Sequence, residues 1–183
     1  MKLTETKLSG VYLIEPDVFQ DERGFFYESY NQQKFEQAQL KTVFVQDNHS
    51  RSVKQTLRGL HYQRGKFAQT KLVRCTLGEV LDVVVDLRKK SPTFGQGVAY
   101  KLSAQNKLQM YIPAGFAHGF CVLSEVAEFQ YKCDKYYAPA EERGIIWNDP
   151  DLAVDWGIDQ PIISRKDQNL PLLKAISPAE LFN

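Results

Sequence analysis

Short apolar segments follow one another along most of the chain, separated by gaps of a few polar residues or glycines. The clearest alternation spans positions 79–87, where one face carries apolar residues and the other carries two valines with Asp82 and Asp86. Such alternation is typical of β-strands, whose successive side chains point to opposite faces. The predicted strands are Val11–Phe19, Gly24–Tyr30, Thr42–Asn48, Thr56–Tyr62, Lys71–Leu77, Val80–Leu87, Val98–Ser103, Gln109–Pro113, Gly119–Leu123, Glu128–Cys133 and Ile145–Trp147. Many short strands at regular spacing predict an all-β sandwich or barrel, here a jelly roll.

Helical patterns are sparse, and most of them lie near the C-terminus. Asn31 is placed to cap a short helix over residues 31–38, and Ser164 begins a capping-box pattern that ends at Asp167. Ser177 precedes a proline at a third helix start. No repeat, linker or low-complexity segment interrupts the chain of 183 residues. The sequence therefore predicts one domain over residues 1–183 with a few short helices.

Composition excludes several classes of partner. The formal net charge is +1, so no global field attracts nucleic acid or an anionic membrane, and neither is predicted as a partner. Cys75, Cys121 and Cys133 match neither a zinc site nor a redox pair and lie in apolar runs, which favours buried thiols. The first ten residues lack the apolar core of a secretion signal, and no apolar run is long enough to cross a membrane. These features predict a cytoplasmic protein.

Two segments resemble the paired motifs of cupin β-barrels. They are Gly59–Gln63 and Pro113–His118. In metal-binding cupins the first motif supplies two histidines and a downstream carboxylate, whereas this chain has His61, Gln63 and, downstream, Lys71. Glutamine is a poor metal ligand and an ammonium binds no cation. We therefore expect a cupin-like jelly-roll barrel without a metal, in which His61 is free for acid–base chemistry.

A larger set of segments, in order along the chain, carries a more specific resemblance. The segments are Asp21–Phe26, Phe44–Ser50, Leu57–Gln63, Lys71–Arg74, Ile112–Phe120, Glu128–Tyr131, Trp147–Asp149 and Ser164–Asp167. Together they resemble the dTDP-4-dehydrorhamnose 3,5-epimerase family. The resemblance implies a dTDP-linked 4-keto-6-deoxyhexose as substrate and inversion of its C3 and C5 in dTDP-L-rhamnose biosynthesis. It implies no cofactor.

The chemistry implied by this resemblance needs a base, an acid and a group that stabilises an enolate oxygen. His61 is the predicted base, because an imidazole takes up a proton near neutral pH and the alternation places it on the face opposite Leu60. The resemblance implies Asp167 as its partner and Tyr131 as the acid. Lys71 is the predicted enolate stabiliser, because a lysine on an apolar strand face is costly unless it meets an anion. A cation near Tyr131 is expected to lower the pKa of its phenol. The alternatives are a core histidine, a helix-capping aspartate, a core tyrosine and a strand-end lysine that reaches water.

The resemblance also implies a set of substrate-binding residues. Arg58 is predicted to hold the pyrophosphate with its planar guanidinium, Gln46 and Asn48 to bond sugar or thymine edges, and Tyr137 to stack on the base. His118 is expected to bind substrate and not to act as the base. The full set is Arg23, Phe25, Glu28, Gln46, Asn48, Arg58, Lys71, His118, Tyr137, Glu142 and Lys166. A surface ion pair for Arg58 and plain surface positions for Glu28, Tyr137 and Glu142 are the alternatives.

In the family that the chain resembles, N-terminal strands cross to a partner subunit. A homodimer with exchanged strands is therefore expected, in which Arg23, Phe25 and Glu28 complete the neighbour's site. The sequence leaves two other functions open: a mono-epimerase of a related nucleotide-linked 4-ketosugar, and a cupin that binds a sugar or nucleotide without catalysis. A metal-dependent oxygenase or isomerase is disfavoured by the incomplete ligand set.

Overall fold

Two β-sheets form the body of the protein, described by a computed structural model of residues 1–183. The strands are β1 (Lys2–Glu5), β2 (Tyr12–Glu15), β3 (Phe19–Asp21), β4 (Gly24–Phe26), β5 (Gln46–Val53), β6 (Thr56–Gln63), β7 (Lys71–Leu77), β8 (Glu79–Asp86), β9 (Gly97–Ser103), β10 (Gln109–Ile112), β11 (Phe116–Val122), β12 (Val126–Cys133), β13 (Glu142–Gly144) and β14 (Ile162–Ile163). The helices are α1 (Gln32–Gln37) and α2 (Arg165–Gln168), with 3-10 turns at Gly65–Phe67, Pro139–Glu141, Leu173–Ala175 and Pro178–Glu180. The predicted all-β class is confirmed.

The strand order is that of two facing antiparallel sheets. The first sheet has the order β1-β2-β10-β7-β12-β5, and the second has the order β13-β6-β11-β8-β9, with β14 added to β6 in parallel. Strands β3 and β4 form a separate hairpin. Apart from the consecutive pairs β1–β2 and β8–β9, neighbours in each sheet are not consecutive in sequence, so each inward-facing row combines side chains from several parts of the chain. This arrangement is consistent with the predicted cupin-like jelly roll.

Both faces of the second sheet are buried, which the alternation along β8 explains. Val80 and Val84 point into the core between the two sheets, where they meet Val73 and Phe129 of the first sheet. The other face of β8 packs under the C-terminal segment, with Val83 in a cluster that includes further residues up to position 182. The C-terminal segment therefore forms a third layer on the outer face of the second sheet. The predicted division of the 79–87 faces is confirmed.

Several boundaries differ from the predicted ones. Strand β1 was not predicted because its sequence has no alternation of buried residues, and its side chains are mostly exposed. The predicted strand Ile145–Trp147 is wrong, since the strand is Glu142–Gly144, although Ile145 still exchanges two backbone hydrogen bonds with Leu60. The predicted long strands at 11–19 and 24–30 are shorter, because the chain turns into the β3–β4 hairpin.

The predicted helix caps are present in the structure. Asn31 caps α1 by accepting a hydrogen bond from the backbone of Lys34, and Ser164 caps α2 in the same way. The third predicted start, at Ser177, gives only a single 3-10 turn. No helix of the fold combines the length and apolar character that crossing a membrane would need.

Candidate active site

A cavity of about 600 Å³ opens between the two sheets at the end of the barrel where β6, β11 and α2 meet. This volume is typical of small-molecule sites, which measure roughly 300–1,000 Å³. The ionisable side chains that line it are His49, Arg58, His61, Lys71, His118, Tyr131, Lys166 and Asp167. Three of these side chains, Arg58, Lys71 and Lys166, are normally cations, and only one, that of Asp167, is a carboxylate. The cavity is therefore suited to an anionic ligand.

The pairing of β6 with β11 brings two histidines together. His61 lies directly opposite His118, so both side chains point from the same face into the barrel. The ladder shifts register beside this pair, where Gly59 and Gly119 pass each other closely. A Cβ on Gly59 would lie 2.6 Å from the Cα of Gly119, and its φ of +126° also disfavours any other residue. The close approach of these glycines allows the two histidines to share one cavity.

His61 is paired with Asp167, as predicted. The Nε2 atom of His61 lies 2.8 Å from Oδ1 of Asp167, and the carboxylate also accepts a hydrogen bond of 3.3 Å from the backbone N–H of Gly59. A carboxylate in this position favours the tautomer protonated at Nε2, which leaves Nδ1 as the basic nitrogen. Leu60 is fully buried on the opposite face of β6, so the predicted orientation of His61 is confirmed.

The alternative role of Asp167 as a helix-capping residue does not compete with this pair. Ser164 caps α2 through its hydroxyl, which accepts a hydrogen bond from the backbone N–H of Asp167. The side chain of Asp167 is thereby left to His61 and Gly59. Burial alone would raise the pKa of Asp167, but the hydrogen bond and charge of His61, together with Gly59 and Ser164, hold that pKa below its usual value. Asp167 is therefore an ionised partner for His61.

Lys71 and Tyr131 approach the cavity from the first sheet. Lys71 begins β7, and Tyr131 lies on the neighbouring strand β12, with its ring centroid 5.9 Å from the ammonium of Lys71. Desolvation lowers the pKa of Lys71, while Cys133, Glu142 and Asp82 act in the opposite direction. An anion placed in the cavity would compensate this desolvation.

The expected lowering of the Tyr131 pKa is wrong. Burial raises the pKa of this phenol, the charges of Cys133 and Glu142 add to that effect, and Arg58 opposes it only in part. The cation near Tyr131 does not outweigh the loss of water around the hydroxyl. Tyr131 is therefore a phenol that burial favours in its protonated form.

Arg58 projects into the cavity with most of its guanidinium unpaired. Its Nε donates a 3.1 Å hydrogen bond to the hydroxyl of Ser52 on β5, and Arg58 forms no salt bridge with a carboxylate. The alternative of a surface ion pair is therefore excluded for Arg58. Ser52 is buried and belongs to an inward-facing polar row of β5 with Gln46, Asn48 and Ser50. Ser50 lines the cavity, and its buried hydroxyl has no partner.

At the rim of the cavity, Glu142 joins two of the predicted binding residues. It accepts hydrogen bonds of 2.5 Å from the hydroxyl of Tyr137 and 2.5 Å from the ammonium of Lys166. Burial would raise the pKa of Glu142, but these two bonds and nearby cations lower it. Gln46 accepts a hydrogen bond from the backbone of Tyr137 and donates one to Asn48. Five predicted residues thus form one connected rim, of which Asn48 and Lys166 line the cavity itself.

Three predicted residues lie elsewhere in the chain. Arg23 pairs with Asp21 at the tip of the β3–β4 hairpin, and Phe25 is 59% exposed on the same hairpin. Glu28 is paired with Lys34 of α1. None of the three lines the cavity of its own chain.

The sequence interpretation missed a second histidine–aspartate pair. The Nε2 atom of His118 lies 2.9 Å from Oδ2 of Asp82, and both residues are buried. The alternation along 79–87 placed Asp82 on a face with two valines, and this unusual aspartate in an apolar row was the available signal.

The three cysteines are buried thiols. Cys75, Cys121 and Cys133 are free and buried, as predicted, and burial raises the pKa of each thiol to about 11. No group of three or more His, Cys, Asp or Glu side chains is arranged to share a metal ion.

Comparisons with known proteins give a consistent result. A family model described as dTDP-4-dehydrorhamnose 3,5-epimerase matches residues 5–175. A dTDP-4-dehydrorhamnose 3,5-epimerase of Pseudomonas aeruginosa is 59% identical over 184 residues, covering 100% of this chain and 99% of the relative. The Salmonella typhimurium protein of the same name is 58% identical over 175 residues, covering 94% of this chain and 96% of the relative. The crystal structure of Legionella pneumophila dTDP-6-deoxy-D-glucose-3,5-epimerase in complex with dTDP-4-keto-L-rhamnose is 48% identical. It has a TM-score of 0.96 and covers 100% of this chain and 97% of that chain.

Proposed function

The chain belongs to the dTDP-4-dehydrorhamnose 3,5-epimerase family, and we propose that it inverts C3 and C5 of dTDP-4-dehydro-6-deoxy-D-glucose in dTDP-L-rhamnose biosynthesis. A ketone at C4 acidifies the hydrogens on both neighbouring carbons. Inversion at each carbon proceeds by removal of the proton, formation of an enolate and return of a proton to the opposite face of the ring. The enzyme is thus an isomerase, and this chemistry requires no cofactor.

The observation that carries this proposal is the arrangement of four groups around one cavity. His61 with Asp167 approaches from the second sheet and α2, whereas Lys71 and Tyr131 approach from the first sheet. A sugar ring between the sheets would have a base on one side and a phenol on the other. A non-catalytic binding protein has no need of a base, its orienting carboxylate and an opposed acid in one cavity.

Each of the four groups has a chemical role in this proposal. Nδ1 of His61 takes the proton from carbon, and Asp167 stabilises the imidazolium that forms. The ammonium of Lys71 stabilises the oxygen that becomes negative in the enolate. Tyr131 delivers a proton to the opposite face of the ring, and its raised pKa keeps the phenol protonated until the enolate carbon accepts that proton.

The nucleotide part of the substrate is bound through the remaining predicted residues. The unpaired end of the Arg58 guanidinium and the ammonium of Lys166 meet the pyrophosphate. Asn48 and Gln46 offer amide groups, and Tyr137 offers an exposed ring for stacking on thymine. The Legionella relative was solved with a dTDP-linked ketosugar, which supports a dTDP-linked ligand for this chain.

We further infer a homodimer in which the N-terminal hairpin crosses to the partner. Phe19, Phe25 and Phe26 are each more than half exposed on β3 and β4, an unusual amount of apolar surface for a single chain in water. In this dimer Arg23, Phe25 and Glu28 would complete the partner's site. Light scattering of the purified chain tests the assembly, and a monomer at micromolar concentration would contradict it.

We also propose that the whole chain is a single domain over 1–183 and that it lies in the cytoplasm.

Proton NMR of dTDP-4-dehydro-6-deoxy-D-glucose with the enzyme in deuterated water tests the activity. Loss of both the C3 and the C5 proton signals is the expected result. Loss of only one signal would make the protein a mono-epimerase of a related ketosugar. Binding of dTDP without loss of either signal would favour the non-catalytic cupin.

A further inference from the structure

The second histidine–aspartate pair lies at the inner wall of the same cavity. His118 is directly opposite Val84 in the β11–β8 ladder, so Asp82, two residues before Val84, is its diagonal neighbour on the same face. This geometry brings Nε2 of His118 to 2.9 Å from Oδ2 of Asp82. Asp82 is fully buried and His118 is 8% exposed. The pair is therefore built by strand pairing alone.

Placing Asp82 in the barrel interior lowers the stability of the fold. Its Oδ1 is buried and has no hydrogen-bond partner, so the carboxylate relies on a single hydrogen bond. Burial raises the pKa of Asp82, and only His118 and the more distant Lys71 oppose that effect. A buried, incompletely bonded carboxylate in a native structure calls for a functional reason, because an apolar residue of similar size would cost the fold less.

The reason lies in what Asp82 does to His118. Asp82 itself does not line the cavity, whereas His118 does. The His118 ring is held on two sides, by the hydrogen bond at Nε2 and by the nearly parallel ring of Phe129 at 6.1 Å. With Nε2 bonded to the carboxylate, Nδ1 is the ring nitrogen left to a ligand. Lys71 lines the same cavity, so Nδ1 and the ammonium serve the same bound molecule.

We propose that Asp82 is a positioning residue, which fixes the tautomer and ring plane of His118 so that Nδ1 accepts a hydrogen bond from a hydroxyl of the substrate sugar. The proposal rests on the proposed function, because it assigns the sugar to the part of the cavity next to Lys71. Asp82 acts on the sugar and not on the nucleotide, since the nucleotide-binding residues Arg58 and Lys166 belong to β6 and α2 and make no contact with it. No proton leaves or enters Asp82 during turnover.

Two variants of Asp82 separate the hydrogen bond from the charge. Asp82→Leu removes both, whereas Asp82→Asn keeps an oxygen that can accept from Nε2–H. The expected result is a fall in kcat/KM of about 100-fold for Asp82→Leu, the size of effect that a misplaced binding group produces. Asp82→Asn should keep kcat/KM within about tenfold of the wild type, and both variants should bind dTDP alone as the wild type does.

A double-mutant cycle with His118→Ala makes the test specific. If Asp82 acts through His118, Asp82→Leu adds no further loss in the His118→Ala background. Equal losses in both backgrounds, or a Leu variant within threefold of wild-type kcat/KM, would overturn the proposal.

Nitrogen-15 NMR of the histidines gives a readout that does not depend on activity. The chain has three histidines, so assignment by single substitutions is feasible. Wild-type His118 should be protonated at Nε2 with Nδ1 free, and this signature should change in Asp82→Leu while that of His61 does not. A wild-type His118 protonated only at Nδ1 would refute the proposal even if no Leu variant folds. An enzyme that fails to exchange substrate protons would refute the proposed function while leaving this signature intact.

Discussion

Strand β8 carries two buried aspartates on the same face, and their surroundings are very different. Asp86, where the strand enters the following loop, accepts hydrogen bonds from the backbone and guanidinium of Arg88 and from the hydroxyls of Ser91 and Thr93. Asp82, four residues earlier, accepts one hydrogen bond and has an oxygen without a partner. Burial pushes both pKa values upward. The partners of Asp86 reverse that effect and lower its pKa to about 2, whereas the pKa of Asp82 stays above its usual value.

The difference shows which buried polar groups have all the hydrogen-bond partners that they can use and which do not. The loop that follows β8 supplies every hydrogen bond that Asp86 needs, so this carboxylate holds the fold together. Around the cavity, Asp82, the hydroxyl of Ser50 and the end of the Arg58 guanidinium have fewer partners than they can accommodate. Ser50 and Arg58 line the cavity, so a ligand can supply the hydrogen bonds that they lack, whereas Oδ1 of Asp82 and the hydroxyl of Tyr62 are buried outside the cavity.

Replacing His61 should produce the largest effect of any change at the cavity. His61→Ala removes the proposed base, so exchange of both the C3 and C5 protons should fall by about 10³-fold or more. Binding of dTDP should stay within about twofold, because Arg58 and Lys166 remain. Deuterium exchange by NMR and titration with dTDP measure the two quantities. A variant that keeps most of its exchange would show that another residue is the base.

Tyr131→Phe should sharpen the distinction between proton removal and proton return. The phenol is the predicted acid only, so net inversion should fall by roughly 100-fold while exchange at the first carbon falls much less. Comparing product formation with solvent deuterium incorporation in the same sample gives the ratio. Equal loss of both would mean that Tyr131 shapes the cavity and donates no proton. Tyr137→Phe, which removes a hydroxyl at the rim, is a matched control.

The sequence was sufficient for the fold class and for selecting two residues, His61 and Asp167, that the structure brings together. Period-two alternation located β8 and its two faces, and the family resemblance selected His61 and Asp167, whose side chains lie together. The pairing of His118 with Asp82 could not be predicted, because it depends on the β8–β11 register. The pKa of Tyr131 was predicted in the wrong direction, because sequence shows the nearby cation but not the depth of burial.

Ser52 is a second residue that only the structure reveals, and it gives a smaller effect. Its hydroxyl accepts a hydrogen bond from Nε of Arg58 and so fixes the guanidinium that is proposed to meet the pyrophosphate. Ser52→Ala removes one hydrogen bond worth about 1 kcal/mol, so dTDP should bind roughly fivefold more weakly. The turnover number at saturating substrate should not change. Calorimetry with dTDP checks the affinity, and Ser52→Thr, which keeps a hydroxyl, should restore it. An unchanged affinity in Ser52→Ala would show that Arg58 needs no such support.

Asp86→Asn should leave catalysis intact and change stability instead, which tests the other side of the comparison. The folded-state pKa is about 2 against an ordinary value of 3.8. A group with a depressed folded-state pKa contributes stability that is fully present above the ordinary value and is lost as the pH falls toward the folded value. The shift corresponds to about 2 kcal/mol of unfolding free energy at neutral pH.

Denaturant unfolding of both proteins between pH 7 and pH 2 measures this contribution. The wild type should exceed Asp86→Asn by about 2 kcal/mol at pH 7, and the two curves should converge as the pH falls from about 4 to about 2. Proton exchange on the substrate should be the same in both proteins at pH 7, because Asp86 does not line the cavity. A gap that persists at pH 2 would mean that Asp86 stabilises the loop through packing and not through its charge. A large loss of substrate proton exchange in Asp86→Asn would show that Asp86 also contributes to function, so that β8 would not carry one functional and one structural aspartate.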